Sequence, residues 1–166
     1  MIDHSPTTPA ADERIVMKRV FAAPRERVFA AWTTAEHFAR WFGPDGCTTE
    51  ACTLDARPGG SLRFHMLCEG MEPWIGGTYR EVVAPERIVL RWGFQDEAGN
   101  RVHATTYGLS EQHPLETVVT VTLVERDGRT EMTMEQTVPR DFPERDQMRA
   151  GWTMGFNHLA ALLATP

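Results

Sequence analysis

The sequence predicts one α+β domain in which a curved antiparallel sheet wraps around a long C-terminal helix. Three observations predict it. Apolar residues recur at helical spacing between Val28 and Phe42, then at every second position through most of Cys47 to Val138, then at helical spacing again from Met148 to Leu163. A sheet with one apolar face needs a cover, and the last helix carries the long apolar stripe that could provide it. The length of 166 residues suits one core, here residues 13–166 after a flexible lead at residues 1–12.

Arg14 to Phe21 is rich in β-branched and apolar residues and reads as the first strand. Ala23-Pro24 then opens a short helix on which Val28, Phe29 and Trp32 share a face. Thr33 and Glu36 have capping-box spacing for a second short helix, with Phe38, Trp41 and Phe42 as its apolar face and Gly43-Pro44 as its stop. Cys47–Ala56 reads as a strand and Arg57-Pro58-Gly59-Gly60 as the turn after it. Strands follow around Leu62–Met66, Thr78–Glu81, Ile88–Phe94, Val119–Leu123 and Glu131–Glu135. Asp127-Gly128 is a hairpin signal between the last two. Val102–Tyr107 reads as one further short strand inside a long polar stretch. Asp141 and Glu144 stand in an N-cap to N3 relation with Pro143 in the first turn. Met148, Trp152, Gly155, Phe156, Leu159, Leu162 and Leu163 then form one stripe.

Composition excludes several classes of function. A net charge of −6 with no basic run leaves no surface suited to nucleic acid or to an anionic membrane. No apolar run reaches the roughly 20 residues a spanning helix needs. The N-terminus lacks the basic and apolar regions of a signal peptide. Cys47, Cys52 and Cys68 form no CxxC pair, and read as three reduced, partly buried thiols in a cytoplasmic protein. His4, His37, His65, His103, His113 and His158 share no metal-ligand spacing and read as isolated surface or boundary residues. Neither a metal nor a cofactor is expected, and no nucleophile elbow, phosphate loop or dinucleotide fingerprint is present.

Several segments together resemble the helix-grip fold of the START/SRPBCC superfamily, the birch-pollen-allergen type, and within it the branch named for the activator of heat-shock protein 90 ATPase. They are Phe21-Ala22-Ala23-Pro24 leading to Val28-Phe29-Ala30-Ala31-Trp32-Thr33, then Trp41-Phe42-Gly43-Pro44, then Asp55 to Gly60, then Gly77 to Arg87, and Gly151-Trp152 late in the chain. The resemblance runs from about Glu13 to Ala164. It implies a gap between sheet and helix, and tasks that range over carriage of hydrophobic ligands, cyclisation chemistry, hormone sensing and chaperone regulation. Fold alone does not choose among them.

The residues suggest where such a task would sit. Trp41, Phe64, Met66, Tyr79, Trp92, Met134, Trp152 and Phe156 are candidates for an apolar lining. A filled core uses the same residue types, so composition leaves pocket and core both open. Strand parity places Glu81 on the same inner face as Tyr79, as a polar anchor or a catalytic acid or base. The alternative is a structural ion pair with Arg87 across the turn at Ala84-Pro85-Glu86. Gln136 is a further candidate to orient a ligand. Three functions follow: binding of a hydrophobic small molecule, a cyclase or hydrolase in which Glu81 handles protons, and a chaperone-partner module acting through its surface. A homodimer is compatible with all three.

Overall fold

Strand β1 (Arg14–Phe21) forms where its β-branched run predicts. The structure, a computed structural model, describes residues 10–165. The expected N-terminal lead lies outside the described residues up to residue 9, and Ala11–Glu13 form one 3-10 turn. Helix α1 (Arg25–Thr33) starts after Pro24, whose carbonyl accepts from the Arg27 and Val28 amides. Helix α2 (Ala35–Trp41) follows directly. The expected Thr33 cap is not made. Thr34 holds the capping position without a side-chain bond, and Thr33 Oγ1 donates back to the Phe29 carbonyl within α1.

Six more strands complete one antiparallel sheet: β2 (Thr48–Leu54), β3 (Ser61–Leu67), β4 (Trp74–Val83), β5 (Arg87–Gln95), β6 (Thr117–Arg126) and β7 (Arg129–Thr137). Their order is β1-β7-β6-β5-β4-β3-β2, so the segment carrying α1 and α2 crosses from one edge strand to the other. The β6–β7 hairpin turns on Asp127 and Gly128, whose φ angles of 53° and 77° suit the two-residue turn that matches strand twist. Helix α3 (Arg145–Ala164) covers the concave face, with Trp152, Gly155, Phe156, Leu159 and Leu163 buried.

Three expectations about local structure are corrected. Val102–Tyr107 is not a strand: Ala104–Tyr107 is a 3-10 turn, begun where His103 Nδ1 accepts from the Thr105 amide. That local bond outcompetes the β-propensity of the segment. Asp141 and Glu144 do not box the start of α3. Glu144 itself occupies the capping position, and its carboxylate accepts from Ser110 N and Ser110 Oγ, both at 2.7 Å. Burial would raise the Glu144 pKa, but these two bonds, together with its own backbone amide and the nearby His113, outweigh it and hold the carboxyl below its ordinary value. The helix is thereby tied to the β5–β6 loop.

The cysteines are not three reduced thiols. Cys47 and Cys68 form a disulfide, and Cys52 alone is free. The two bonded residues flank the paired Thr48 and Leu67, so antiparallel register sets them opposite one another. The cytoplasmic expectation loses the support it drew from reduced thiols. Burial pushes the free Cys52 thiol up to about 11. No helix among the described residues is long and apolar enough to cross a membrane.

The core centres on Trp32, which meets Trp41 edge-on at 4.8 Å and stacks on Trp152 at 6.0 Å. Trp41 Nε1 donates to the Ala31 carbonyl at 2.8 Å, which locks α2 to α1. On β4, Tyr79 pairs with Leu90 but Glu81 pairs with Val89, so Arg80 is an inserted bulge residue. Further along the same strand the backbones of β4 and β5 press together at Gly77. A Cβ there would lie 1.8 Å from the Arg91 carbonyl oxygen. Gly77→Ala is therefore expected to cost about 1–3 kcal/mol in urea unfolding. Gly76→Ala, whose nearest neighbours would be atoms of the movable Gln95 side chain, is expected to cost less.

Candidate functional site

Helix α3 does not seal against the whole sheet. Between its first half and the ends of β3, β4 and β5 lies a cavity of about 190 Å³. The helix leaves room at Gly151, whereas a Cβ on Gly155 would touch the Gly43 backbone at 3.7 Å. Gly151 and Gly155 both line the cavity, one helical turn apart, and neither carries a side chain. A Cβ on Gly151 would meet nothing within 4 Å. Glycine inside a helix costs about 1 kcal/mol against alanine, so the sequence forgoes stability here and gains open space.

The walls are aromatic and apolar. Trp41, Phe42 and Pro44 enter from the end of α2 and its loop, Met66 from β3, and Ile75 from β4. Trp92 and Phe94 enter from β5, and Met148 and Trp152 from α3. Trp92 and Trp152 lie nearly parallel, 13° apart with centroids at 6.1 Å. Phe42 meets both edge-on, at 5.4 and 5.5 Å. This is the geometry in which aromatic quadrupoles attract.

Three polar side chains interrupt the lining: His113, Thr117 and Gln136. Trp152 Nε1 donates to Gln136 Oε1 at 2.7 Å, and Gln136 Nε2 donates to Thr117 Oγ1 at 3.0 Å. An indole N–H can only donate, so Trp152 sets which way the amide points. His113 Nδ1 lies 3.2 Å from the Pro114 carbonyl, which can only accept. The bond therefore requires a proton on Nδ1. Burial lowers the His113 pKa; the Pro114 bond and the nearby Glu144 charge oppose that without reversing it.

The structure brings together only part of the predicted set. Trp41, Met66, Trp92, Trp152 and Gln136 line the cavity. Phe64, Tyr79, Met134 and Phe156 are packed into the core and do not line it. The Tyr79 hydroxyl is buried without a hydrogen-bond partner among the described residues, and that burial pushes its pKa up, with Cys52 and Asp55 adding to the shift. Glu81 does not face inward. The bulge at Arg80 advances the strand by one residue and turns Glu81 to the outer side, half-exposed, 3.2 Å from Arg87 Nε. The ion-pair alternative describes it. His65, on the outer face, stacks on Trp74 at 4.3 Å.

Phe42, Ile75, Phe94, His113, Thr117 and Met148 line the cavity without having been singled out. Phe94 alternates in step with Trp92, and Gly151 and Gly155 share a helix face, so these carried a signal. His113 sits in a loop outside any periodic segment and carried none. Among the described residues, no three His, Cys, Asp or Glu side chains gather as a metal site.

Residues 22–164 match the family model described as Activator of Hsp90 ATPase homolog 1-like protein. The chain belongs to this family. Its fold is the helix grip of the START/SRPBCC type. A curated relative, the human activator of 90 kDa heat shock protein ATPase homolog 1, is 26% identical over 140 residues, which are 84% of this chain and 33% of that protein. The chain thus spans about a third of the length of the curated relatives it matches. A crystal structure from Chromobacterium violaceum is 28% identical with a TM-score of 0.74, covering 93% of this chain and 99% of that one. A solution structure from Arthrobacter aurescens is 25% identical with a TM-score of 0.75, covering 98% and 92%.

The depressed His113 pKa makes a signed prediction. Below its ordinary value of 6.5, the unfolded chain takes up a proton that the folded chain resists. This contribution to stability is full above about pH 6.5 and is lost as pH falls toward the folded-state value. Urea midpoints at pH 7.5 and pH 5 should therefore separate more in the native chain than in His113→Phe. Equal separation would show that His113 is not the group responsible.

Proposed function

We propose that this family member binds a small apolar molecule in the cavity between the sheet and helix α3. The observation that carries the reading is Gly151 in α3, where a Cβ would meet nothing within 4 Å, beside a space walled by Trp92, Trp152, Phe42 and Met148. A dry apolar cavity of about 150 Å³ accepts benzene, so 190 Å³ suits a substituted single ring. Burying such a ring, at about 25 cal/mol per Å² over roughly 150–200 Å², gives an affinity in the range of about 0.2–2 mM. The described residues of the lining carry no carboxylate, and Glu81 lies outside it, so proton handling by Glu81 loses its geometric support.

The match to the human activator supports a second reading, a chaperone contact made through the protein surface. Its test is the ATPase rate of an Hsp90 with and without the purified chain. An unchanged rate at saturating protein retires it.

The binding reading is tested with p-xylene. The thermal midpoint should rise with ligand concentration, since a ligand held only by the folded state stabilises it. Gly151→Leu would place a side chain in the open space while improving helix propensity. That variant should melt at the same temperature or higher and show little response to p-xylene. A native protein with neither a midpoint shift nor a change in tryptophan fluorescence would refute binding.

A further inference from the structure

We infer that the cavity selects a neutral hydroxyarene, a single aromatic ring whose phenolic hydroxyl seats against Gln136 and Thr117. This rests on the binding reading above and adds the chemical class of the ligand.

Charge argues first. None of the described residues lining the cavity is Lys, Arg, Asp or Glu. The one titratable side chain among them, His113, is held toward its neutral form by burial. A carboxylate or ammonium entering this space would lose its water and find no counter-ion.

Shape argues second. The broad faces and edges offered by Trp92, Trp152 and Phe42 suit a flat ring, which can stack on one and meet another edge-on.

Unused hydrogen-bonding capacity argues third. Gln136 and Thr117 are each 4% exposed. Gln136 Nε2 has two hydrogens, and one goes to Thr117. Gln136 Oε1 has two lone pairs, and one takes the Trp152 N–H. The Thr117 hydroxyl accepts from Gln136, and its own hydrogen finds no acceptor among the described residues. The pair therefore offers two donors and spare lone pairs inside a lining that is otherwise apolar except for His113. A hydroxyl is the smallest group that both donates and accepts, and it can use both capacities at once. Anchoring the Trp152 indole needs one acceptor only, so the remaining capacity is surplus to that role. The Trp152 bond also holds the amide in place before a ligand arrives, which lowers the cost of ordering it.

Three compounds differing in one substituent test the inference: p-cresol, p-xylene and 4-methylbenzoate, titrated at pH 7.5 by calorimetry and tryptophan fluorescence. A hydroxyl buried without partners loses about ten-fold or more in affinity. The seat instead predicts that p-cresol binds at least as tightly as p-xylene, and that 4-methylbenzoate binds at least about ten-fold more weakly than p-xylene. Thr117→Val is nearly isosteric and leaves the Trp152–Gln136 bond intact. It should weaken p-cresol about ten-fold and shift p-xylene by less than about three-fold. Gln136→Leu should act in the same direction, with the thermal midpoint recorded to separate misfolding from loss of the seat. If p-cresol binds about ten-fold more weakly than p-xylene, the polar pair only supports Trp152 and the inference fails while the cavity reading stands. A p-cresol affinity unmoved by Thr117→Val, or 4-methylbenzoate binding as tightly as p-cresol, also overturns it. Absence of binding by all three compounds defeats the cavity reading itself.

Discussion

The indole of Trp152 belongs to the core and to the cavity at once. One side packs toward Trp32 at 6.0 Å and Phe156 at 5.4 Å, and the other toward Trp92 at 6.1 Å and Phe42 at 5.5 Å. Its N–H reaches Gln136 on β7 and bridges helix to sheet at 2.7 Å. A buried indole without that acceptor would carry the cost of an unsatisfied donor. The rotation of α3 about its axis is thus constrained by apolar packing and by one directional bond. The same constraint turns Gly151 and Gly155 toward the gap, because they lie on neighbouring turns of the same face.

Stability and open volume oppose each other along α3. From Phe156 to Leu163 the helix is anchored by side chains that fill the space beneath them, and Phe156, Leu159 and Leu163 are buried. From Met148 to Gly155 it carries two glycines, and the walls are left to Trp92, Phe42 and Trp152. The chain around the opening is held by other means. The Cys47–Cys68 disulfide joins the loop after α2 to the end of β3. Glu144 holds the β5–β6 loop through Ser110, and His158 reaches both the Trp41 carbonyl and Asp45. Cross-links at the rim do the work that packing would do in a filled core, and the cavity can stay open without the rim collapsing onto it.

A single inserted residue decides which chemistry the inner face offers. Without the bulge at Arg80, Glu81 would follow Tyr79 onto the concave side and place a carboxylate among apolar groups. With it, Glu81 lies outward against Arg87 in a half-exposed pair that contributes about 0–1 kcal/mol. The polar character of the cavity comes instead from Gln136, Thr117 and His113, which keep the interior uncharged.

Periodicity alone determined the element order, the single antiparallel sheet and the buried stripe of α3, because alternation and helical spacing are properties of neighbours in sequence. The same local information placed Trp41, Met66, Trp92, Trp152 and Gln136 near the gap. It could not place Glu81, since a bulge depends on how two strands pair and leaves no mark in the alternation of one. It could not pair Cys47 with Cys68, whose proximity follows from the register of β2 on β3. It gave no reason to choose His113, which reaches the cavity through a loop that Glu144 ties down from another element. Capping followed the same rule at Glu144, whose partner Ser110 lies in another segment. Most of what neighbours in the chain decide was legible, the local bonds of Thr33 and His103 apart, and what depends on contact between distant segments was settled only when the sheet curled around its helix.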